Sequence, residues 1–331
     1  MKKYLIFTVA SLLLMPSCST KKEKSGELSG TSGEVKLITL DPGHFHAALV
    51  QKNSYEQVAD EVYVYAPEGD DVQEHLNKID GYNTRSDSPT KWREVVYRGP
   101  DFLEKMLSEK KGNVMVTAGN NGKKTEYIKQ TLMAGIHVLA DKPMTINSEN
   151  FGLLKECFDI ASRKGILLYD IMTERHEITT VLQRELSRVP AVYGEQLQGT
   201  PEEPAIVKES VHHFFKVVSG NPLKRPAWFF DVNQQGEGIV DVTTHLVDLV
   251  QWEAFPDQVI DYTQDIELLD ANRWTTSISP AEFTQVTGAE TYPDFLQKDV
   301  ENDTLKVYCN GDITYRLKGI CAKVSVIWNY T

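Results

Sequence analysis

Two short groups of residues could do acid–base chemistry together. The first is Asp141-Lys142-Pro143, where the apolar run from His137 to Ala140 ends in an acid, a base and a proline. A buried strand ending this way delivers charged groups to the rim of a sheet, and if that rim is a cleft, Lys142 is the group that meets a ligand. Taken alone, the pattern more often describes a strand-ending turn with a solvated lysine. The second group lies in the stretch from Gly236 to Val250. At helical spacing Val242, Leu246, Leu249 and Val250 form an apolar stripe, while Asp241, His245 and Asp248 share another face. A carboxylate one turn from an imidazole can fix the ring and raise its pKa, giving an oriented acid/base pair. The plain alternative is a solvated polar face.

The elements that must carry these groups follow a strand, turn, helix rhythm from Glu34 onward. Strands are predicted at Val35 to Leu40, Glu61 to Tyr65, Glu94 to Tyr97, Asn113 to Ala118, Ile136 to Ala140 and Ile166 to Tyr169. A helix is expected from about Ser148 to Lys164, and another carries Tyr127, Ile128 and Leu132 on one side. Strands alternating with helices of this length imply βαβ units and a parallel sheet. Ligands bind beyond the carboxyl ends of such strands. Those ends are Asp41 to His46, Ala66 to Gly69, Ala118 to Gly122, Asp141 to Met144 and Asp170 to Arg175. Glycines there ease turns and let a phosphate or ribose approach backbone N–H groups. A dinucleotide fingerprint would supply three glycines after the first strand, whereas Asp41-Pro42-Gly43-His44-Phe45-His46 supplies one. His44 and His46 are therefore either ligand contacts or polar helix-start residues.

After Met172 the character changes. A helix is predicted from Glu174 to Ser187, then strand-like runs at Ala191 to Gln198, Gln258 to Thr263, Leu305 to Tyr308, Ile313 to Leu317 and Ala322 to Trp328. The expectation is α/β: a Rossmann-type domain over 34–172, then an α+β domain with an open, mainly antiparallel sheet over 173–331. Cys157 reads as a small core residue. Cys309 and Cys321 flank an expected turn at Asn310-Gly311, where a disulfide is conceivable in an export compartment. The chain stops while the pattern still reads as strand, so further C-terminal sequence is expected.

With 331 residues, 41% hydrophobic and 25% charged, the chain is an ordinary globular protein long enough for two cores. Its net charge of -12 argues against a nucleic-acid surface. Lys2 and Lys3 precede the apolar run Tyr4 to Met15, which suits an export signal better than a membrane span. With Pro16-Ser17-Cys18 following, residues 1–17 read as a lipoprotein signal, Cys18 as a lipidation site and 18–33 as a flexible tether. The expected location is the cell envelope, lipid-anchored and periplasm-facing. Asp241 with His245, His44 with His46, and His212 with His213 could each offer metal ligands, but adjacent histidines alone make a poor site and no metal is expected.

Asp141-Lys142-Pro143 after a fifth parallel strand, with Gly-x-Gly-x-x-Asp-x-x-x-His further along, resembles the glucose–fructose oxidoreductase, inositol dehydrogenase and rhizopine-catabolism family, Gfo/Idh/MocA. The likeness runs without gaps from about Asn113 to Met144 and from about Trp228 to Trp252, and within the family it is nearest the exported, lipoprotein-like branch. The resemblance implies a Rossmann domain binding NAD or NADP and a second sheet whose face covers the nicotinamide; NAD is favoured, and tight retention would suit an exported protein, because free NAD is scarce outside the cell. It implies that Lys142 binds a substrate hydroxyl, that His245 is the principal acid/base, and that Asp241 orients both. The cofactor contacts it suggests are Asp41, Gly43, His44, Phe45, His46, Ala118, Gly119, Asn120, Asn121 and Asp141. Candidate contacts to a carbohydrate are Glu174, Arg175, His212, His213 and Trp228. Three departures stand out: Asp141 replaces the usual Glu, the glycine fingerprint is depleted, and Lys124 stands where relatives often carry His. The expected reaction is hydride transfer on a sugar, sugar derivative or polyol. The alternatives are a redox-neutral glycosidase or lyase with retained NAD, and a sugar-binding protein without catalysis. The open second sheet is a candidate surface for forming homo-oligomers.

Overall fold

The structure, a computed structural model, describes residues 28–218 and 221–331. The expected export signal and Cys18 lie outside the described residues. The end of the expected tether is fastened rather than free. The Glu34 carboxylate accepts from the backbone N–H groups of Ser29, Gly30 and Thr31, and Gly33 donates to Glu56.

The first half alternates as its sequence predicts. Strands β1 (Leu37–Leu40), β2 (Glu61–Ala66) and β3 (Arg93–Arg98) are separated by α1 (His46–Leu49) and α2 (Asp70–Thr84). Then come α3 (Phe102–Glu109), β4 (Val114–Thr117), α4 (Asn121–Met133), β5 (His137–Asp141), α5 (Ser148–Lys164) and β6 (Leu168–Ile171). Caps fix the helix ends: Asn120 and Asn147 accept from backbone N–H groups at the starts of α4 and α5, and Gly165 takes the left-handed conformation that ends α5. That stop delays β6, which begins two residues later than predicted while Ile166 turns into the core.

All six strands pair in parallel in the order β3-β2-β1-β4-β5-β6. The order reverses between β1 and β4, the switch point at which open α/β sheets bind ligands. One face buries Ile38, Leu40, Met115 and Val138 against Ile128 and Leu132 of α4, and the other buries Leu37, Val62 and Val116 against Ile79 of α2. Residues facing both sides are apolar because helices cover both sides.

The second half departs further from its reading. After a single 3₁₀ turn at Glu174–His176 come α6 (Ile178–Ser187) and α7 (Pro190–Tyr193), so the strand expected over Ala191 to Gln198 begins as helix. Strand β7 (Ile206–His213) is followed by the short pair β8 (Val217–Val218) and β9 (Asn221–Pro222), then α8 (Gly238–Asp241) and α9 (Thr243–Ala254). The predicted single helix is thus broken at Val242. Gln258 to Thr263 forms loop and turn rather than strand. The chain ends with β10 (Ile266–Ile278), α10 (Pro280–Thr287), β11 (Val300–Glu301), β12 (Thr304–Leu317) and β13 (Ile320–Asn329). They form one open sheet, ordered β10-β12-β13-β7 with β11 beside β12, antiparallel except where β13 meets β7.

Asn310-Gly311 is not a turn. It lies inside β12, which runs through both predicted strands, and the turn to β13 falls at Lys318-Gly319, both at positive φ. Cys157, Cys309 and Cys321 are free and buried, so the Cys309–Cys321 disulfide does not form. The apolar stripe of the second motif is buried: Leu246 and Val250 of α9 pack on Leu317 and Val324 of the sheet. Burying each such side chain contributes about 1.5–3 kcal/mol. Gly238 shows why the motif needs glycine, since a Cβ there would lie 1.8 Å from the Cys309 carbonyl oxygen.

Candidate active site

Strand β5 and helix α8 bring the two chemical groups together. The Lys142 ammonium donates to the Asp241 carboxylate at 2.8 Å and to its backbone carbonyl at 3.0 Å, across the junction of the two sheets. An ammonium has three donors, so one remains for a ligand. Both side chains are buried, and burial alone would neutralise them. The opposite charge outweighs it, raising the Lys142 pKa and lowering that of Asp241. The peptide between Lys142 and Pro143 is cis.

His245 stands beside this pair but is not bonded to Asp241. The expected carboxylate–imidazole pair is replaced by the carboxylate–ammonium pair, because Asp241 at the end of α8 meets Lys142 just beyond β5. Burial, then the Lys142 charge, pushes the His245 pKa down to about 4, opposite to the rise expected from an Asp partner. Its Nδ1 is shut off from solvent without a partner, so Nε2 is the nitrogen a ligand can reach. Asp248 is also committed elsewhere, to a two-point ion pair with Arg175.

Beneath Lys142, Asp141 organises the edge of β1. Its carboxylate accepts from Nδ1 of His44 at 3.1 Å and Nδ1 of His46 at 2.9 Å. Burial holds His44 neutral, while donors from both rings keep Asp141 ionised well below the usual carboxylate range despite its own burial. The donor atoms of His44, His46 and Asp141 lie within 4.8 Å of one another, a set that could hold a metal ion. The Lys124 and Lys142 charges oppose a divalent cation there, since each acts on or beside the same carboxylate.

Lys124, in the sequence only a departure from the family pattern, has a structural task. Fully buried, it donates to Asn121 and to the backbone carbonyls of Asp141 at 3.0 Å and Pro143 at 3.2 Å, so it fixes the turn that carries Lys142. Burial pushes its pKa down to about 8.

A cavity of about 830 Å³ opens over these groups. It runs from Gly69, Asp70 and Asp71 at the start of α2, across Gly43 to His46, and on to Lys142, Asp241 and His245. Of the predicted cofactor contacts, Gly43, His44, Phe45 and His46 line it. The others support its wall. Asp41 accepts from the Tyr127 hydroxyl, and a Cβ on Gly119 would lie 2.3 Å from the Asp41 carbonyl oxygen, so only glycine lets the two loops touch. The Ala118 carbonyl accepts from both Gly43 and His44 N–H groups. Asn120 and Asn121 reach across to Gln234 and Gln235. Of the predicted carbohydrate contacts, Glu174, His212 and Trp228 line the cavity, whereas Arg175 is held by Asp248 and His213 lies outside. The Trp228 indole donates to Asp71 at 2.7 Å and presses on Gly43. Sequence reasoning missed His75, a buried cavity residue with neither ring nitrogen partnered; its helical position in α2 carried no motif.

A parallel sheet ordered 3-2-1-4-5-6, with a cleft at its switch point closed by a second domain bearing an acid/base cluster, defines an oxidoreductase of the dinucleotide-binding class. Residues 43–170 match the model described as "Oxidoreductase family, NAD-binding Rossmann fold" for Gfo/Idh/MocA, and residues 182–331 match "Putative oxidoreductase C terminal domain". The chain is similar to the crystal structure of a "putative oxidoreductase" from Parabacteroides merdae ATCC 43184, with 77% identity over 91% of this chain and 69% of that one and a TM-score of 0.89. It shares its fold with a "putative oxidoreductase" from Thermotoga maritima (14% identity, 89% of this chain, 72% of that one, TM-score 0.56). The fold is shared also with the WlbA dehydrogenase from Bordetella pertussis, solved with NADH and UDP-GlcNAcA (13% identity, 90% and 73% covered, TM-score 0.51). No curated protein matches. The chain belongs to the Gfo/Idh/MocA oxidoreductase family and is an NAD-binding oxidoreductase.

The residues present fit such a dinucleotide. The cavity is continuous from the β2–α2 turn to Lys142, and on α2 it leaves the buried His75 ring without a protein partner. Gly43 to His46, Gly69 to Asp71 and His75 would hold the cofactor.

Proposed function

We propose that the protein oxidises an alcohol carbon of a sugar, sugar derivative or polyol. The observation that carries this reading is the Lys142–Asp241 pair, with one ammonium donor left over, set beside a neutral His245 in a cavity shared by both domains. A bound nicotinamide supplies the hydride acceptor. The third N–H of Lys142 donates to the substrate oxygen and stabilises charge as it develops. His245 takes the hydroxyl proton at Nε2, and Asp241 keeps Lys142 charged and aimed. The Asp70, Asp71 and Glu74 carboxylates near the β2–α2 turn repel a second phosphate on the ribose, which favours NAD over NADP. The WlbA complex with NADH and UDP-GlcNAcA supports a carbohydrate as substrate.

The amino-terminal sequence supports export and a lipid anchor at Cys18 on the periplasmic side. A nicotinamide retained through a cycle of oxidation and return would suit that location, so a redox-neutral glycosidase or lyase is the second reading. Exposed apolar residues on β7 and β10, such as Val207, Val211, Leu268 and Trp274, support self-association through the second sheet.

The test begins by denaturing purified protein and measuring released NAD(H). Its absence after incubation with cofactor would sink both redox readings. Incubation with sugars, polyols and simple glycosides then separates keto-sugar accumulation from release of free sugar. Activity surviving in both Lys142→Met and His245→Ala would refute the assigned roles.

A further inference from the structure

Charges of both signs line the cavity: Lys78 pairs with Glu74 at the α2 end, and the Glu174 charge acts on Lys142. The other acids are Asp70 and Asp71 at the β2–α2 end and Asp241, which is already paired with Lys142. At the second-domain end stand three cations, Lys216, Lys224 and Arg225, and among the described residues none forms an ion pair with a carboxylate.

Arg225 is the informative member. It is only 8% exposed, its guanidinium lying 4.4 Å from the Phe229 ring centre and 5.2 Å from that of Trp328. Nε donates to the Phe214 carbonyl at 3.0 Å and Nη2 to the His213 carbonyl at 3.1 Å. Those two bonds use two of five N–H donors, and the rest belong to a side chain that lines the cavity. Burying a guanidinium without a counter-ion is costly, and the planar fork is shaped for a two-point anion contact. Burial lowers its pKa to about 10, and Lys216 is lowered by burial and by the Arg225 charge. The Asp241 charge that reaches Arg225 is already paired with Lys142, so the cluster can take further negative charge. Beside it His212 stacks on Trp328 at 4.8 Å, offering a flat wall to a ring.

We propose that the substrate is an anionic carbohydrate, a sugar ring bearing a carboxylate or a phosphate, whose negative group is bound by Arg225 with Lys216 and Lys224 at the rim while a ring hydroxyl meets Lys142 and His245. This rests on the carbohydrate reading above and narrows it. A neutral sugar would leave the guanidinium unpaired when bound, so discrimination should favour the anion.

Binding of D-glucuronate, D-glucose 6-phosphate and D-glucose to the NAD-treated full chain can be measured by calorimetry, a readout independent of turnover. One of the anionic sugars should bind at least about tenfold more tightly than glucose, roughly 1.4 kcal/mol, and the tighter of the two tells carboxylate from phosphate. Arg225→Gln should bring that anion to within about twofold of glucose and leave NAD affinity unchanged. Because Arg225 is buried, the exposed pair Lys216→Gln/Lys224→Gln gives a second arm, expected to weaken the anion about threefold or more and glucose not at all. Equal affinities for the three sugars in the unaltered protein would overturn the proposal. So would loss of NAD affinity in Arg225→Gln with the sugar preference intact, since the guanidinium would then serve the dinucleotide. An anion preference in a protein that shows no hydride transfer would instead refute the oxidoreductase assignment of Lys142 and His245 and leave this one standing.

Discussion

Replacing Lys142 with Met should cost the fold as well as the chemistry. The Lys142 and Asp241 side chains are 9% and 13% exposed, so the substitution strands a carboxylate in a nearly dry junction. Breaking a buried pair by removing one partner costs about 3–5 kcal/mol. At about 2–4 °C per kcal/mol for domains of this size, Tm should fall by roughly 6–20 °C. Removing the second charge as well relieves the penalty, so Lys142→Met/Asp241→Asn should regain more than half of the loss. The pH dependence follows from the two shifts. The Asp241 pKa is depressed, so its contribution is present above the ordinary value of 3.8 and is lost as pH falls through the folded value. The Lys142 pKa is raised, so its contribution is present below 10.5 and is lost as pH rises through the folded value. Urea denaturation of the four proteins of this cycle, read by tryptophan fluorescence at neutral pH, measures the coupling. A single variant within about 0.5 kcal/mol of the parent, or a double variant no better than Lys142→Met, would refute the buried pair.

Three further outcomes are expected. If His245 is the base, the rate of alcohol oxidation should be flat on its acid side until pH falls toward about 4, where the ring protonates; a limb near 6.5 in kcat/KM would contradict the burial of that ring. Cys157, Cys309 and Cys321 should resist a thiol reagent in the folded protein and all react after denaturation, since burial also raises the Cys157 and Cys309 pKa values to about 11; thiols found oxidised to a disulfide would overturn the fold of β12. Gly238→Ala should destabilise by about 1–3 kcal/mol or more, because its Cβ would press on the Cys309 carbonyl, while Gly152→Ala, with nothing within 4 Å, should stabilise α5; comparison of their Tm values checks the packing of α8 on the sheet.

The Rossmann half was legible because each strand is a short apolar run bounded by turn residues and buried on both faces. β10 escaped notice because most of its residues are exposed, leaving no hydrophobic period to read. Asn310-Gly311 misled for a physical reason: that pair usually marks a hairpin, but here Asn310 bonds across the sheet to Thr276 and Trp328, and Gly311 makes room for Ile239 of α8. At the site, spacing singled out Lys142, Asp241 and His245 as candidates, and the family resemblance supplied their roles. Which of them pair could not be found that way, because the partners Lys142 and Asp241 are far apart in sequence and meet only when α8 packs beside the end of β5. Arg225 and Lys124 carried no motif, since their meaning lies in what surrounds them once folded.

The junction between the domains is held unevenly. At the start of α4, Asn120, Asn121 and Gly122 are stitched to Gln234 and Gln235, with Gly122 so close that a Cβ would lie 2.6 Å from the Asn233 carbonyl oxygen. Over the β1 edge, the crossing contact is the Trp228 indole on Asp71 and Gly43. Such an arrangement has the layout of a book bound along one spine and closed by a clasp, and from it we expect that loosening the Trp228 indole would speed dinucleotide exchange while Lys142 and Asp241 stay in register.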